Sequence, residues 1–219
     1  PDDPTGSDPL YCEASGFADA DGDDDLTWYS WFRNDIELEH YSQWLPAGYT
    51  DPGDVMMCRA TPWDGSSSGT PRSTSVVVRN TPPAVSGGYF SPSIVRTEDT
   101  VRIVASGADS DGDLVTLNYS WFVNGEAIGV DAESLDGATH FDKGDTLTVW
   151  VTPSDATTSG DPVEFGPLVV ANSAPSSLTA VITPDDPDEG DDALRCAVSG
   201  TPYDPDGDPM TYSVAWYRR

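Results

Sequence analysis

The residues best placed to do chemistry are three clusters of carboxylates. They read Asp19-Ala20-Asp21-Gly22-Asp23, Asp109-Ser110-Asp111-Gly112-Asp113 and Asp204-Pro205-Asp206-Gly207-Asp208. Asp at alternate positions can turn three carboxylates toward one point, and Gly permits the sharp turn between the last two. Ca²⁺ accepts oxygen ligands in flexible geometry, whereas Mg²⁺ dehydrates reluctantly and demands a strict octahedron. A calcium site is therefore the chemistry this pattern suggests. The spacing is not that of an EF-hand, because the long ligand run ending in Glu is missing, so the loop alone cannot fill a coordination shell. The plain alternative is an Asx turn, since Asp and Gly are ordinary turn residues.

The surroundings of the loops recur with them. A Trp lies eight residues after the last Asp each time, at Trp31, Trp121 and Trp216, and a Ser-Gly pair precedes each loop at 15–16, 106–107 and 199–200. One unit is thus repeating with a period of roughly 90 residues. Before each loop, apolar residues alternate with period two: Leu10, Cys12, Ala14; Val101, Ile103, Ala105; Leu194, Cys196, Val198. After it come Tyr29 and Trp31; Val115, Leu117, Tyr119 and Trp121; Met210, Tyr212, Val214 and Trp216. Period two predicts half-buried strands in all six places.

The units diverge over 34–52 and 124–143, then converge at Gly53-Asp54 and Gly144-Asp145. A further strand follows (Met56, Cys58, Ala60; Leu147, Val149, Val151), ending at Thr61-Pro62-Trp63-Asp64 and Thr152-Pro153-Ser154-Asp155. A last strand holds 76–78 or 168–170. Each unit closes on Asn80-Thr81-Pro82-Pro83 or Asn172-Ser173-Ala174-Pro175, an extended, semi-rigid link. No stretch of helical length shows a 3.6-residue period. Short strands at regular spacing with Gly, Pro and Asp turns predict an all-β fold of tandem sandwiches of about 90 residues, end to end, with no significant helix. The expected divisions are 1–83, lacking its first strand; 84–175, complete; and 176–219, an N-terminal half. Pro1-Asp2-Asp3-Pro4 matches Pro184-Asp185-Asp186-Pro187, so the chain reads as a window on a longer array.

Thirty-eight acidic against ten basic residues give a formal charge of −28. Such a chain repels nucleic acid and anionic lipid and attracts cations. No apolar run is long enough to span a membrane. His40 and His140 do not align between units and have no repeated partner, there is no phosphate-binding Gly loop, and paired carboxylates are too common here to mark a glycosidase. The expectation is no catalysis.

The run Asp204-Pro-Asp-Gly-Asp-Pro-Met-Thr-Tyr-Ser-Val-Ala-Trp resembles the middle of polycystic-kidney-disease (PKD) domains, which are immunoglobulin-like sandwiches of large surface proteins and secreted bacterial hydrolases. The residues after each Trp are more similar to the wider set of bacterial immunoglobulin-like repeats with cadherin-like acidic loops. The order Cys12…Trp31…Cys58 likewise resembles the immunoglobulin arrangement, in which a disulfide links strands B and F and a strand-C Trp packs on it. That resemblance implies a Cys12–Cys58 bridge and an oxidising compartment; the alternative is two buried thiols. Ile103 and Val149 occupy the matching positions in the second unit, and Cys196 aligns with Cys12.

An immunoglobulin-like topology also brings the loop before the Trp strand and the loop at Asp64 or Asp155 to one end, where the incoming linker arrives. The ligand sets this implies are Asp19, Asp21, Asp23 and Asp64; Asp109, Asp111, Asp113, Asp155 and Asn80; and Asp204, Asp206, Asp208 and Asn172. Asp54 and Asp145 of the preceding unit are candidate additions. The resulting expectation is a secreted or cell-surface structural protein: a Ca²⁺-stiffened stalk, adhesin or filament component, whose partners are further repeats and other copies of the chain. The alternative is an accessory spacer or carbohydrate-binding module of a secreted hydrolase. Trp28, Tyr41, Trp44, Tyr49 and Trp63 of the first unit could stack on a surface glycan or simply cover sandwich edges.

Overall fold

The computed structural model describes residues 3–188, 190 and 193–217. The match of Pro1-Asp2-Asp3-Pro4 to residues 184–187 therefore lies partly outside the described residues. The fold is all-β, of sandwich type, built from several antiparallel sheets. The strands are β1 (Leu10–Tyr11), β2 (Trp28–Arg33), β3 (Ile36–Glu37), β4 (Trp44–Leu45), β5 (Val55–Thr61), β6 (Arg72–Val77), β7 (Ala84–Ser91) and β8 (Thr100–Ala108). They continue with β9 (Thr116–Val123), β10 (Glu126–Ala127), β11 (Ser134–Asp136), β12 (Thr146–Ser154), β13 (Val163–Val169), β14 (Thr179–Thr183) and β15 (Arg195–Ser199). One four-residue helix, α1 (Gly137–His140), interrupts them between β11 and β12.

The chain divides into two compact units. One comprises Pro1–Gly87, Ser106–Asn118 and Thr152–Pro162; the other comprises Gly88–Ala105, Tyr119–Val151 and Val163–Arg219. In the first, strands run β3-β2-β5-β6 in one sheet, and β1 pairs with β4 in another. Trp31 lies opposite Cys58 in the β2–β5 register. Leu10, Cys12, Trp31, Leu45, Met56, Cys58 and Val78 form one buried cluster. A disulfide joins Cys12, just past β1, to Cys58 in the middle of β5, across a Cα separation of 6.3 Å. The Trp31 indole N–H donates to the Ser42 carbonyl at 2.9 Å, so the ring is fixed at its polar end as well as by packing.

The second sandwich has sheets β10-β9-β12-β13 and β11-β8-β7. Alternation produces its core directly. Leu147, Val149 and Val151 of β12 and Val101 and Ile103 of β8 are wholly buried, each worth about 1.5–3 kcal/mol of apolar transfer. Trp121 is buried too, its indole N–H on the Ala132 carbonyl at 2.8 Å, the same contact that Trp31 makes. Ile103 and Val149 hold the positions of the bridged cysteines as plain apolar residues.

Two expectations are corrected. Ala14 is exposed, not inward, and β1 stops at Tyr11. Its counterpart β8 runs nine residues because β7 and β11 flank it on both sides, whereas β1 has only β4. Residues 210–216 form no strand, and Trp216 is 54% exposed. Its counterpart β9 is held between β10 and β12, whereas no described strand lies alongside residues 210–216. Alternation sets which face of a strand is buried, but the backbone N–H and C=O groups still need a ladder. Past Ser173, the described strands are the hairpin β14–β15, with Ile182 opposite Cys196. Cys196 is a free thiol.

The divergent stretches 34–52 and 124–143 nevertheless share one anchor. Asn34 donates to Asp54 (2.6 Å) and accepts from the Val55 N–H (2.9 Å); Asn124 does the same with Asp145 (2.7 Å) and Thr146 (3.0 Å). The turns at 51–54 and 142–145 are thereby held alike, each with a glycine at positive φ in its third position (Gly53 +89°, Gly144 +89°) and an N–H(i+3) to C=O(i) bond of 3.1 Å.

Candidate metal centres

Each acidic loop folds first on itself. The leading Asp turns one carboxylate oxygen back onto the loop's own amides. Asp19 Oδ1 accepts from Asp21 (2.8 Å), Gly22 (2.9 Å) and Asp23 (3.2 Å). Asp109 Oδ1 accepts from Asp111 (2.7 Å) and Asp113 (3.3 Å). Asp204 Oδ1 accepts from Asp206 (2.9 Å) and Asp208 (3.4 Å). The glycines take φ of +81°, +85° and +73°, which a side chain would resist. This is the Asx turn the composition allows, and all three loops make it.

What distinguishes the second and third loops is the incoming chain. The Thr81 N–H donates to Asp111 Oδ2 at 2.6 Å, and its hydroxyl lies 3.2 Å from Oδ1. The Ser173 N–H donates to Asp206 Oδ2 at 2.6 Å. The middle carboxylate is thus held in place by the linker. Gly6 lies close by: a Cβ on it would come within 2.4 Å of Asp111 Oδ1. Asp21 receives no such contact among the described residues.

The consequence is convergence. One carboxylate oxygen from each of Asp109, Asp111 and Asp113 lies within 4.8 Å of the others, and so do those of Asp204, Asp206 and Asp208. Two oxygens bound to one Ca²⁺ at about 2.4 Å can be no farther apart than about 4.8 Å, so both triads have the separation a shared ion requires. Among the described residues the Asp19 loop does not meet it. Asp109 Oδ2 and Asp206 Oδ1 are buried and meet no hydrogen-bond donor among the described residues. A buried acceptor without a donor is costly, and a cation would satisfy it. These two triads could hold a metal ion.

The electrostatics of the two differ. Asp113 is pushed above its ordinary value by loss of solvent and then by the charges of Asp109, Asp155 and Asp111. The latter contribution comes from carboxylates gathered at one place. In the third loop, Lys143 Nζ sits on both oxygens of Asp208 (2.7 and 2.6 Å) and at 3.2 Å from Asn172 Oδ1. Its pKa is raised, first by the hydrogen bond to Asp208 and then by the charges of Asp208, Asp206 and Asp204. Burial alone would raise Asp206, but the neighbouring Thr97 and Ser173 and the Lys143 charge hold it below its ordinary value.

The other expected ligands take different parts. Asn80 reaches the second loop's end through Asp155, donating to it at 2.8 Å and to the Thr158 hydroxyl at 2.8 Å. Asp155 also accepts from the backbone and hydroxyls of Thr157 and Thr158. Asn80 first, then the Thr158 N–H, hold it well below the usual carboxylate range. With its lone pairs occupied in this way, Asp155 contributes charge and turn geometry more readily than a free ligand oxygen. Asp64 makes the same turn with Ser66 and Ser67, and shares a cleft with Asp19. Asn172 faces Lys143 and the Ser173 carbonyl. Asp54 and Asp145 are committed elsewhere: both are caught by Asn34 or Asn124 and by the turn amides of Asp51 or Asp142, and Asp54 also by Arg33 at 2.6 Å.

Sequence reading missed Thr81, Ser173, Thr97 and Lys143. The recurring Asn-(Thr/Ser)-x-Pro link and the fact that Lys143 is the chain's only lysine were the available signals. A disulfide is present, and among the described residues no helix is long and apolar enough to cross a membrane. The chain matches no protein-family model and no curated protein.

Proposed function

We propose that this chain is a segment of a non-enzymatic extracellular repeat protein, a stalk, adhesin or filament component. In this reading its immunoglobulin-like, PKD-like units are stiffened by Ca²⁺ held at the linker ends by Asp109, Asp111 and Asp113 and by Asp204, Asp206 and Asp208. The observation that carries the reading is the pair of buried, donorless carboxylate oxygens, Asp109 Oδ2 and Asp206 Oδ1, inside triads whose middle members are held by the incoming linker. Ca²⁺ suits these loops because it tolerates irregular oxygen shells and completes them with water. The linker amides that orient Asp111 and Asp206 would couple ion binding to the order of the link. A net charge of −28 gives a cation more to do, since it lowers self-repulsion wherever it binds. The disulfide is compatible with an extracellular location.

The test is thermal unfolding of the 219-residue chain with Ca²⁺ and with chelator, beside small-angle scattering. The reading expects a higher melting temperature and a less variable shape with Ca²⁺; identical curves in both conditions overturn it. A second reading, binding of a surface glycan, has a specific basis in the exposure of Trp28, Tyr41, Trp44 and Tyr49 (43–58%) within one repeat. Quenching of Trp fluorescence by a polysaccharide, independent of Ca²⁺, would favour it.

A further inference from the structure

The two triads share a plan but differ in one element, and the difference is a cation. The turn at 142–145 places Lys143 beside the third loop; in the matching turn at 51–54 the residue is Pro52. The chain's single lysine is therefore spent on one triad and has no counterpart at the other. Its ammonium contacts both oxygens of Asp208 and the Oδ1 of Asn172.

The Asp204 triad also carries signs of a ligand position beyond its carboxylates. Ser173 and Thr97 are more than nine-tenths buried, at 4% and 7% exposure, and both flank Asp206. The Ser173 N–H donates to Asp206 Oδ2 at 2.6 Å, and both hydroxyls lie against the same carboxylate. The middle carboxylate is thus set among two buried hydroxyls while the ammonium holds the outer one. A divalent ion coordinating Asp208 must displace Lys143 or accept a like charge at its side.

Resting on the proposed calcium sites, we infer that Lys143 is an internal counter-cation that makes the Asp204 triad the weaker of the two. The Asp109 triad, with no ammonium, depends on an external ion; the Asp204 triad is held together without one and fills only at higher Ca²⁺. The linker at 172–175 is then ordered over a wider range of Ca²⁺ than the linker at 80–83. Ion affinity along such an array is set locally, by whether the turn preceding each loop carries a basic residue.

The experiment is Ca²⁺ titration of the full chain by calorimetry, comparing Asp206→Asn, which leaves the Asp109 triad, with Asp111→Asn, which leaves the Asp204 triad. Lys143→Met is then added to the Asp111→Asn background; it keeps an unbranched apolar stem and removes the charge. The Asp109 triad should bind at least about tenfold more tightly, and Lys143→Met should raise the affinity of the Asp204 triad by at least about tenfold, because a like charge within about 4 Å of a divalent ion is relieved. Lys143→Gln provides a second neutral variant if the Met variant does not fold. Equal affinities of the two triads, or an unchanged titration on neutralising Lys143, overturns the inference while leaving the calcium reading intact. No heat and no binding in any variant overturns both.

Discussion

Asp109→Asn separates a metal site from a plain turn. The amide oxygen of Asn can still accept from the Asp111 and Asp113 N–H groups, as Asp109 Oδ1 does at 2.7 and 3.3 Å, so the turn survives. What is lost is the negative charge and the second oxygen, the one that is buried without a donor. A unit charge at about 4 Å from another is worth about 1 kcal/mol even at the dielectric of water, so a doubly charged ion loses at least about 2 kcal/mol, a weakening of about 30-fold. At Ca²⁺ of about ten times the wild-type Kd, the ion stabilises the wild-type unit by about 1.4 kcal/mol; after the substitution the figure is about 0.2 kcal/mol. For a unit of about 90 residues about 1.4 kcal/mol corresponds to roughly 6–11 °C in melting temperature. Scanning calorimetry with Ca²⁺ and with chelator reads both proteins. The wild type should shift by that amount and Asp109→Asn by about a tenth to a fifth of it, with the two curves close together in chelator. An equal calcium shift in both proteins, or a large loss of stability of the variant in chelator, would refute the reasoning: the first because the carboxylate would not be a ligand, the second because its role would be structural.

Replacing Cys12 and Cys58 together by Ala opens a loop of 46-residue separation and should cost about 4 kcal/mol in the chain-entropy picture, seen as a lower melting temperature that reductant also produces in the wild type and not in the variant. Asp8 and Asp54 are held below their ordinary values, Asp8 by the Thr5 N–H and hydroxyl, and Asp54 by the Asp51 N–H, Asn34 and Arg33 against an opposing effect of burial. A carboxylate lowered in the folded state stabilises it fully above the unfolded pKa of about 4, and that stability is lost as pH falls through the folded value, so an acid titration followed by tryptophan fluorescence should show loss beginning below about pH 4 and not near neutrality. Pro52→Lys should give the Asp109 triad the ammonium that Lys143 gives the other. The turn has the same glycine-bearing geometry, which accepts Lys in that position, so calorimetry should find the fold retained and Ca²⁺ affinity at this triad reduced by about tenfold; undiminished affinity would mean that the charge does not reach Asp113.

How much of this was legible depends on how far each contact reaches along the chain. The acidic loops were readable because their geometry is local: Asp109 Oδ1 holds the amides two and four residues on, and the glycine sets the bend within the same five residues. The strands of the second sandwich were readable because period-two alternation records which face is buried, as Leu147, Val149 and Val151 do. The bridge was readable through the resemblance of the order Cys12…Trp31…Cys58 to the immunoglobulin arrangement, and the matching Ile103 and Val149 are buried like the cysteines. The failures are of the opposite kind. Residues 210–216 carry the alternation of β9 and yet form no strand, since a strand is a property of a pair and no described strand lies alongside them. Asp54 and Asp145 looked like spare ligands only because the side chains that occupy them, Asn34 and Asn124, lie in stretches that diverge in sequence. The groups that make a triad converge are the least visible of all. Thr81 and Ser173 act through backbone amides, which nearly every residue possesses, and Lys143 meets Asp208 across 65 residues. Spacing therefore shows where carboxylates can gather, but whether they confront an ion, a linker amide or a lysine is decided by chain segments that share no motif with the loop.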